Sequence, residues 1–271
     1  MPDKTKVVIV GCGWLGQQLG LSLAAASYQV YGSRQSQQGL LQLPEAISPM
    51  LLQLPLAQLT PEQQKIWQNA WLICAIPPAA SQRSEEEYLL LLRNVAGLAL
   101  QAGVRGLIHC SSTGVYQGLS GEVTEKTLLP DNEKSRFLAA AERQLQQVQP
   151  CVTLRLAGLI GPGRHPARFC SGRLLPGAAL AVNMVHALDI ASFIRQLLQM
   201  NIQQSDCFNL CCPEHPSKQE FYTAATQSQG LPEPQFAPAQ EQTRTVSALY
   251  SQSLPGFSYR FLSPVQALPY C

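Results

Sequence analysis

The sequence predicts an α/β chain: a doubly wound parallel sheet with a small, discontinuous C-terminal lobe. Three observations carry this reading. Short apolar runs alternate with helical patterns from Val7 to Leu210, the first run leads directly into a glycine-rich turn, and proline-rich sequence without such alternation follows Cys212. Right-handed crossovers place helices on both faces of a parallel sheet, so its strands are continuous apolar runs instead of alternating ones.

Residues 7–10, V-V-I-V, are short and β-branched enough for a buried strand and run into Gly11-Cys12-Gly13-Trp14-Leu15-Gly16. Leu15, Leu19 and Leu23 then recur at helical spacing, and residues 29–32 give a second strand, completing one βαβ unit. In this G-x-G-x-x-G, Gly11 turns the chain sharply out of the strand, Gly13 leaves room for a pyrophosphate, and Gly16 lets helix and strand pack closely. Trp14 and Leu15 open the helix, whose free N–H groups and dipole favour an anion. The pattern in this context points to a dinucleotide; a tight turn in another α/β protein, or an S-adenosylmethionine site, is the competing reading.

The end of the second strand bears on which dinucleotide. An acidic residue there would bind the ribose hydroxyls of NAD, whereas an arginine can pair with the 2′-phosphate of NADP. The sequence has Ser33-Arg34 and no acid, so NADP is expected ahead of NAD, against the alternative of a solvated loop arginine.

The alternation continues with a strand at 48–52, a helix at 61–69 opened by Thr60 with proline in its first turn, and a strand at 71–76. A helix at 85–102 with Leu89, Leu92, Val95 and Leu98 on its apolar side follows, then a strand at 107–110, a helix at 134–148 and a strand at 152–157. A helix at 187–200 and a strand at 207–210 are expected to return to the sheet. The predicted organisation is a nucleotide-binding domain over 1–160, rejoined by 183–212, and a small substrate lobe from 161–182 and 213–271. Ligands on such sheets bind at the carboxyl ends of the strands. Ala75, Ile76 and Ser111 stand at those ends and join the expected cofactor contacts.

A formal charge of +2 over 271 residues gives no footprint for nucleic acid or a membrane surface. The N-terminal residues are polar and lead straight into the first strand, and no apolar run approaches a membrane span, so a soluble cytoplasmic protein is expected. The nine cysteines are odd in number, several fall in predicted strands, and Cys211-Cys212 is the only close pair; packing is expected, with no metal site.

Taken in order, these motifs resemble the NAD(P)-dependent epimerase/dehydratase superfamily, the extended short-chain dehydrogenase/reductases with a Rossmann domain, over nearly the whole chain. The resemblance rests on the glycine motif, Ser111-Ser112-Thr113-Gly114-Val115-Tyr116, Gly121-Glu122-Val123-Thr124-Glu125 with Pro130, Arg155-Leu156 with Gly161-Pro162-Gly163-Arg164, and Asn183 to Ala191. It implies that Ser112 polarises a substrate carbonyl or hydroxyl and that a Tyr-x-x-x-Lys pair handles the proton. No Tyr-x-x-x-Lys occurs in the chain. Its absence, and the R-x-L-x-x-A-E run of Arg136, Leu138, Ala141 and Glu142, resemble the atypical YeeZ-type branch.

The resemblance implies an oxidoreductase or epimerase-like enzyme for a carbonyl or nucleotide-sugar-like substrate; the alternative is a catalytically silent dinucleotide binder. Lys134 and Arg136 stand where the missing tyrosine would, and Tyr116 either packs beneath the nicotinamide site or serves as acid/base. Arg164, Arg168 and Arg173 form a candidate anion pocket for a phosphorylated substrate, or else a solvated basic loop. The family's usual aspartate after the third strand is replaced by Leu54-Pro55-Leu56. The helices at 85–102 and 134–148 correspond to those that pair in many family enzymes, which implies a weak homodimer.

Overall fold

The computed structural model describes residues 4–78, 83–238 and 242–271. Seven parallel strands form the central sheet: β1 Lys6–Val10, β2 Gln29–Arg34, β3 Ser48–Leu51, β4 Trp71–Cys74, β5 Gly106–Ser112, β6 Cys151–Leu156 and β7 Asp206–Leu210. Their order is β7-β6-β5-β4-β1-β2-β3, the doubly wound arrangement the sequence predicts. β1 is flanked by β2 and β4, so the connections leave it in opposite directions and a crevice opens at its carboxyl end. Val7, Val8 and Ile9 have no exposed surface, as a strand covered on both faces requires.

The Trp14–Ala25 helix packs with Ala187–Gln199, and the Glu85–Ala102 helix packs with Glu133–Leu145. Ser84 and Glu87 close a capping box at the start of the Glu85–Ala102 helix, where three glutamates face the positive end of the dipole, and Gly103 ends it in the left-handed conformation. Its buried side is Tyr88, Leu91, Leu92, Val95 and Ala99; Leu89, expected there, is only half-buried. Thr60 and Gln63 close a second capping box, on Pro61–Trp67. No helix among the described residues is long and apolar enough to cross a membrane.

Outside the central sheet the described residues form three parallel two-stranded ladders, some of whose strands come from 1–160 and 183–212 and not only from the expected lobe. Gly158–Ile160 pairs with Met184–His186, Leu174–Pro176 with Gln235–Ala237, and Gly121–Val123 with Arg244–Val246. The proline-rich sequence after Cys212 is less irregular than expected, because it holds the Lys218–Ser228 helix, opened by Ser217, whose hydroxyl accepts from the Glu220 N–H. Phe221 and Ala225 of that helix pack on Ala167, Val182 and Leu268.

Asn183 stitches the last of these ladders inward. Its side chain donates to the Arg244 carbonyl (2.9 Å) and accepts from the Val246 N–H (2.7 Å), while Arg244 donates to the Tyr116 carbonyl (2.7 Å).

Candidate functional site

A cleft of about 610 Å³ opens at the carboxyl ends of β1, β2, β4 and β5. Its floor is the glycine turn. Gly11 has φ +84°, and a Cβ there would lie 2.8 Å from Ile76 Cγ1 and 2.9 Å from the Ile76 nitrogen, so only glycine fits. At Gly13 the nearest atom to an added Cβ is 3.9 Å away, so the backbone is open to the cleft above the Trp14–Ala25 helix. A Cβ on Gly16 would press on the Gly11 carbonyl and Ile9 at 3.1 Å, a close helix–strand approach. Gly32 of β2, which the motif does not include, is equally constrained, with Ile47 and Cys12 at 2.7 and 2.8 Å.

Trp14, Leu15, Ala75 and Ile76 line the cleft, with Leu52 and Leu54 giving an apolar wall after β3. Ser33 lies on the lining, but its hydroxyl accepts the Gly11 N–H (3.1 Å) and so supports the turn. Arg34 faces the cleft, and its buried Nε has no hydrogen-bond partner among the described residues. The other cations of the lining are Arg83 and Arg164, and no carboxylate, histidine or tyrosine lines the cleft among the described residues. Cys12 is buried, and burial pushes its thiol up to about 11, Arg34 only partly opposing this.

Ser112 ends β5 at the far side of the cleft. Its Oγ accepts from the Gly114 N–H (3.0 Å), which leaves the hydroxyl hydrogen free to donate. Ser111 also lines the cleft, but its hydroxyl donates to Glu142 (2.8 Å). Lys134 is exposed, yet its Cε lies 3.6 Å, and Ser112 Oγ 3.2 Å, from the point that a Cβ on Gly114 would occupy. Leu138, one turn on, also meets that point, at 3.0 Å. The helix therefore turns Lys134 and Leu138 toward the Ser112 loop, whereas Phe137 is buried against Tyr88.

Two of the four expected catalytic residues lie elsewhere. Arg136 points to solvent and pairs with Asp131 at 2.7 Å, because it stands on the outer face of its helix. Tyr116 is fully buried beneath the site and does not line the cleft, which is the packing alternative. Its hydroxyl donates to Asn209 (2.9 Å) and accepts from Arg155 (2.8 Å), and burial raises its pKa against the pull of Arg155.

Beneath the cleft these groups belong to one buried network. Arg155 binds Glu142 through two hydrogen bonds, 3.0 and 2.9 Å, and Glu125 accepts from the Asn209 N–H (2.6 Å). Burial works against the Arg155 charge, but the hydrogen bonds and charge of Glu142 outweigh it and hold the guanidinium protonated. His109, in the same layer, is pushed down to about 4 by burial, Glu142 partly opposing, and is neutral.

The three arginines expected to form a substrate pocket separate. Arg164 lines the cleft. Arg168 donates weakly to the Gly163 carbonyl (3.4 Å) and is exposed, and Arg173 is exposed on the lobe. His186 and Asp189 are structural. His186 Nδ1 accepts the Leu188 N–H (3.1 Å), so Nε2 carries the proton and donates to the Tyr270 carbonyl (3.1 Å). Asp189 is buried and accepts the Arg260 N–H (2.7 Å), and burial pushes its carboxyl up to about 6. All nine cysteines are free thiols, and no group of residues suited to a metal ion is present among the described residues.

No family model matches the chain. Protein YeeZ of Escherichia coli (strain K12) is 35% identical over 241 residues, covering 85% of this chain and 86% of that protein. Among solved structures, MoeE5 in complex with UDP-glucuronic acid and NAD superposes with a TM-score of 0.78 at 20% identity, over 98% of this chain and 97% of that one. UDP-glucuronic acid 4-epimerase from Bacillus cereus in complex with NAD gives 0.78 at 17% identity over the same shares. A functionally unknown conserved protein from Silicibacter pomeroyi DSS gives 0.78 at 21% identity over 98% of each chain. At these identities the likeness is one of fold.

Proposed function

The chain belongs to the YeeZ family, an atypical branch of the NAD(P)-dependent epimerase/dehydratase superfamily, and from that premise we propose an oxidoreductase or epimerase-like enzyme that binds NADP in preference to NAD. The observation that carries this is the cationic lining of the cleft. Arg34, Arg83 and Arg164 face it with no carboxylate among the described lining residues, and Arg34 leaves a buried nitrogen without a partner. An anion beside Arg34 would satisfy that nitrogen. The open backbone at Gly13 and the volume of the cleft fit a dinucleotide. When bound, the nicotinamide supplies hydride transfer.

The chain's own residues supply binding and orientation. Ser112, with its hydroxyl hydrogen uncommitted, donates to a carbonyl or hydroxyl oxygen of the substrate, for which a carbonyl compound or a nucleotide sugar is the proposed class. Lys134 beside the same loop, directly or through a water, carries the proton in place of the missing tyrosine. Arg168 and Arg173 on the lobe remain candidates for anionic parts of the substrate. The same reading includes a weak homodimer through the Glu85–Ala102 and Glu133–Leu145 helices.

A catalytically silent dinucleotide binder is the second reading, favoured by one observation: the helix presents Lys134 and Leu138 to the Ser112 loop, not a tyrosine and a lysine. Titration with NADPH and NADH tests the cofactor. A preference for NADPH of about ten- to a hundredfold, lost in Arg34→Ala, is expected for one charge-assisted contact. Equal affinities in the wild type would remove the NADP assignment. Turnover of a panel of carbonyl compounds and nucleotide sugars with bound cofactor separates enzyme from silent binder.

A further inference from the structure

Of the three cations that line the cleft among the described residues, Arg164 is the one from residues 161–182. It follows the Gly158–Ile160 strand, and its guanidinium carbon lies over the ring of Trp14, the first residue of the helix behind the glycine turn, at 5.4 Å from the centroid, and over that of Phe169 at 5.8 Å. Its Nε donates to the Leu159 carbonyl (3.0 Å), while neither terminal nitrogen has a protein partner among the described residues. Trp14 in turn donates from Nε1 to the Pro162 carbonyl (2.8 Å), so a loop distant in sequence is tied to the start of the helix. Gly161 permits the approach: its φ is +151°, and an added Cβ would stand 3.3 Å from the Trp14 ring and 3.2 Å from Ala187.

We propose that Arg164 is a cofactor residue, a clamp that holds the dinucleotide pyrophosphate from the lobe side, opposite the helix N-terminus. This rests on the dinucleotide reading above and extends it. Two partly independent anion positions follow from the lining. Arg34, at the end of β2, serves the 2′-phosphate, and Arg164, over Trp14, serves the diphosphate. The cation–π contact with Trp14 and the Nε bond to Leu159 restrain the exposed guanidinium at the cleft and leave both terminal nitrogens for a ligand, the donors with which arginine binds phosphate oxygens bidentately. Arg168 and Arg173 are not part of this arrangement, since neither lines the cleft. Because Arg164 follows the Gly158–Ile160 strand, bound dinucleotide would hold that strand and its Met184–His186 partner against the cleft.

The test compares ligands that carry the diphosphate with one that does not. Binding of NADPH, 2′-phospho-ADP-ribose and adenosine 2′-monophosphate is measured for the wild type, Arg164→Gln, Arg164→Lys and Arg34→Ala. Arg164→Gln should weaken NADPH and 2′-phospho-ADP-ribose by about ten- to a hundredfold, with part recovered in Arg164→Lys, while adenosine 2′-monophosphate binds as in the wild type. That last affinity also shows that the variant is folded around its cleft. NADPH affinity unchanged in both Arg164 variants, with Arg34→Ala still weakened, overturns the clamp and leaves the dinucleotide reading standing. An equal loss for all three ligands in Arg164→Gln also overturns it, since the residue would then be supporting the cleft as a whole. A wild-type protein that binds neither NADPH nor 2′-phospho-ADP-ribose overturns both readings.

Discussion

Gly11 and Gly13, two residues apart, should respond to the same substitution in opposite ways. In Gly11→Ala the new methyl meets Ile76 Cγ1 at 2.8 Å and the Ile76 backbone at 2.9 to 3.0 Å, and the residue must hold φ +84°. Left-handed backbone costs an L-residue about 1–2 kcal/mol, and overpacking a filled site costs about 1–3 kcal/mol more. The sum, on the order of 2–5 kcal/mol, is a large fraction of a domain's stability of about 5–15 kcal/mol. In Gly13→Ala the methyl meets nothing closer than 3.9 Å and φ is −76°. Alanine is a poorer helix cap than glycine, but it also lowers the entropy of the unfolded chain, so stability should move by less than about 1 kcal/mol. The methyl instead stands in the open cleft, where it should weaken NADPH by at least about tenfold. Urea unfolding followed by circular dichroism, with NADPH titration on the same samples, reads both effects. A Gly11→Ala protein as stable as wild type, or a Gly13→Ala protein that binds NADPH normally, would refute the division of roles.

Ser112→Ala should leave NADPH affinity nearly unchanged and lower turnover by about 10²- to 10³-fold, as for loss of one donor to a developing oxyanion; single-turnover kinetics on the best substrate of the panel decides this. Asp189, with its carboxyl raised by burial to about 6 from an ordinary value near 4, binds its proton more tightly folded than unfolded. Its contribution therefore favours the fold at low pH and is lost as pH rises from about 4 to about 6, on the order of 3 kcal/mol, and Asp189→Asn should lack this slope in urea midpoints measured against pH. The proposed dimer draws on Leu90 and Leu100, each 54% exposed on the Glu85–Ala102 helix, and on the shallow groove of about 270 Å³ around Leu90, Arg93 and Gly97. Sedimentation should show a concentration-dependent dimer that Leu90→Glu abolishes, and a concentration-independent monomer would remove the proposal.

The sheet was legible because its strands are buried on both faces, so burial alone writes them as apolar runs, and because the glycine motif marks the turn out of β1, where Gly11 holds a positive φ against Ile76 and Gly16 lets helix and strand approach. Arg34 was legible for a related reason: its place at the end of β2 follows from the motif's spacing. The chemistry under the cleft was not. Glu142 and Arg155 lie on different elements, and nothing local to either marks that they meet in a bidentate pair, nor that Tyr116 is drawn under them. Arg136 looked apt from its position early in a helix, but helical phase turned it outward to Asp131, and the same phase puts Lys134 and Leu138 on the inner side. Arg83 comes to the cleft from beyond residues 79–82, outside any pattern. The Lys218–Ser228 helix did leave a signal, Ser217 three residues before Glu220, hidden among prolines.

The Gly121–Val123 ladder has a temporal consequence. A ribosome releases this segment well before Arg244–Val246, the only strand that pairs with it among the described residues. Until those residues emerge, its N–H and C=O groups have no ladder partner, and Arg244 is not yet available to the Tyr116 carbonyl. The Rossmann half can assemble first during synthesis, since β7 is complete at Leu210, but the lobe side of the site waits for the last part of the chain. A premature stop shortly before Arg244 would thus release a chain with a finished sheet and an open strand edge, the kind of surface on which newly made proteins associate with one another.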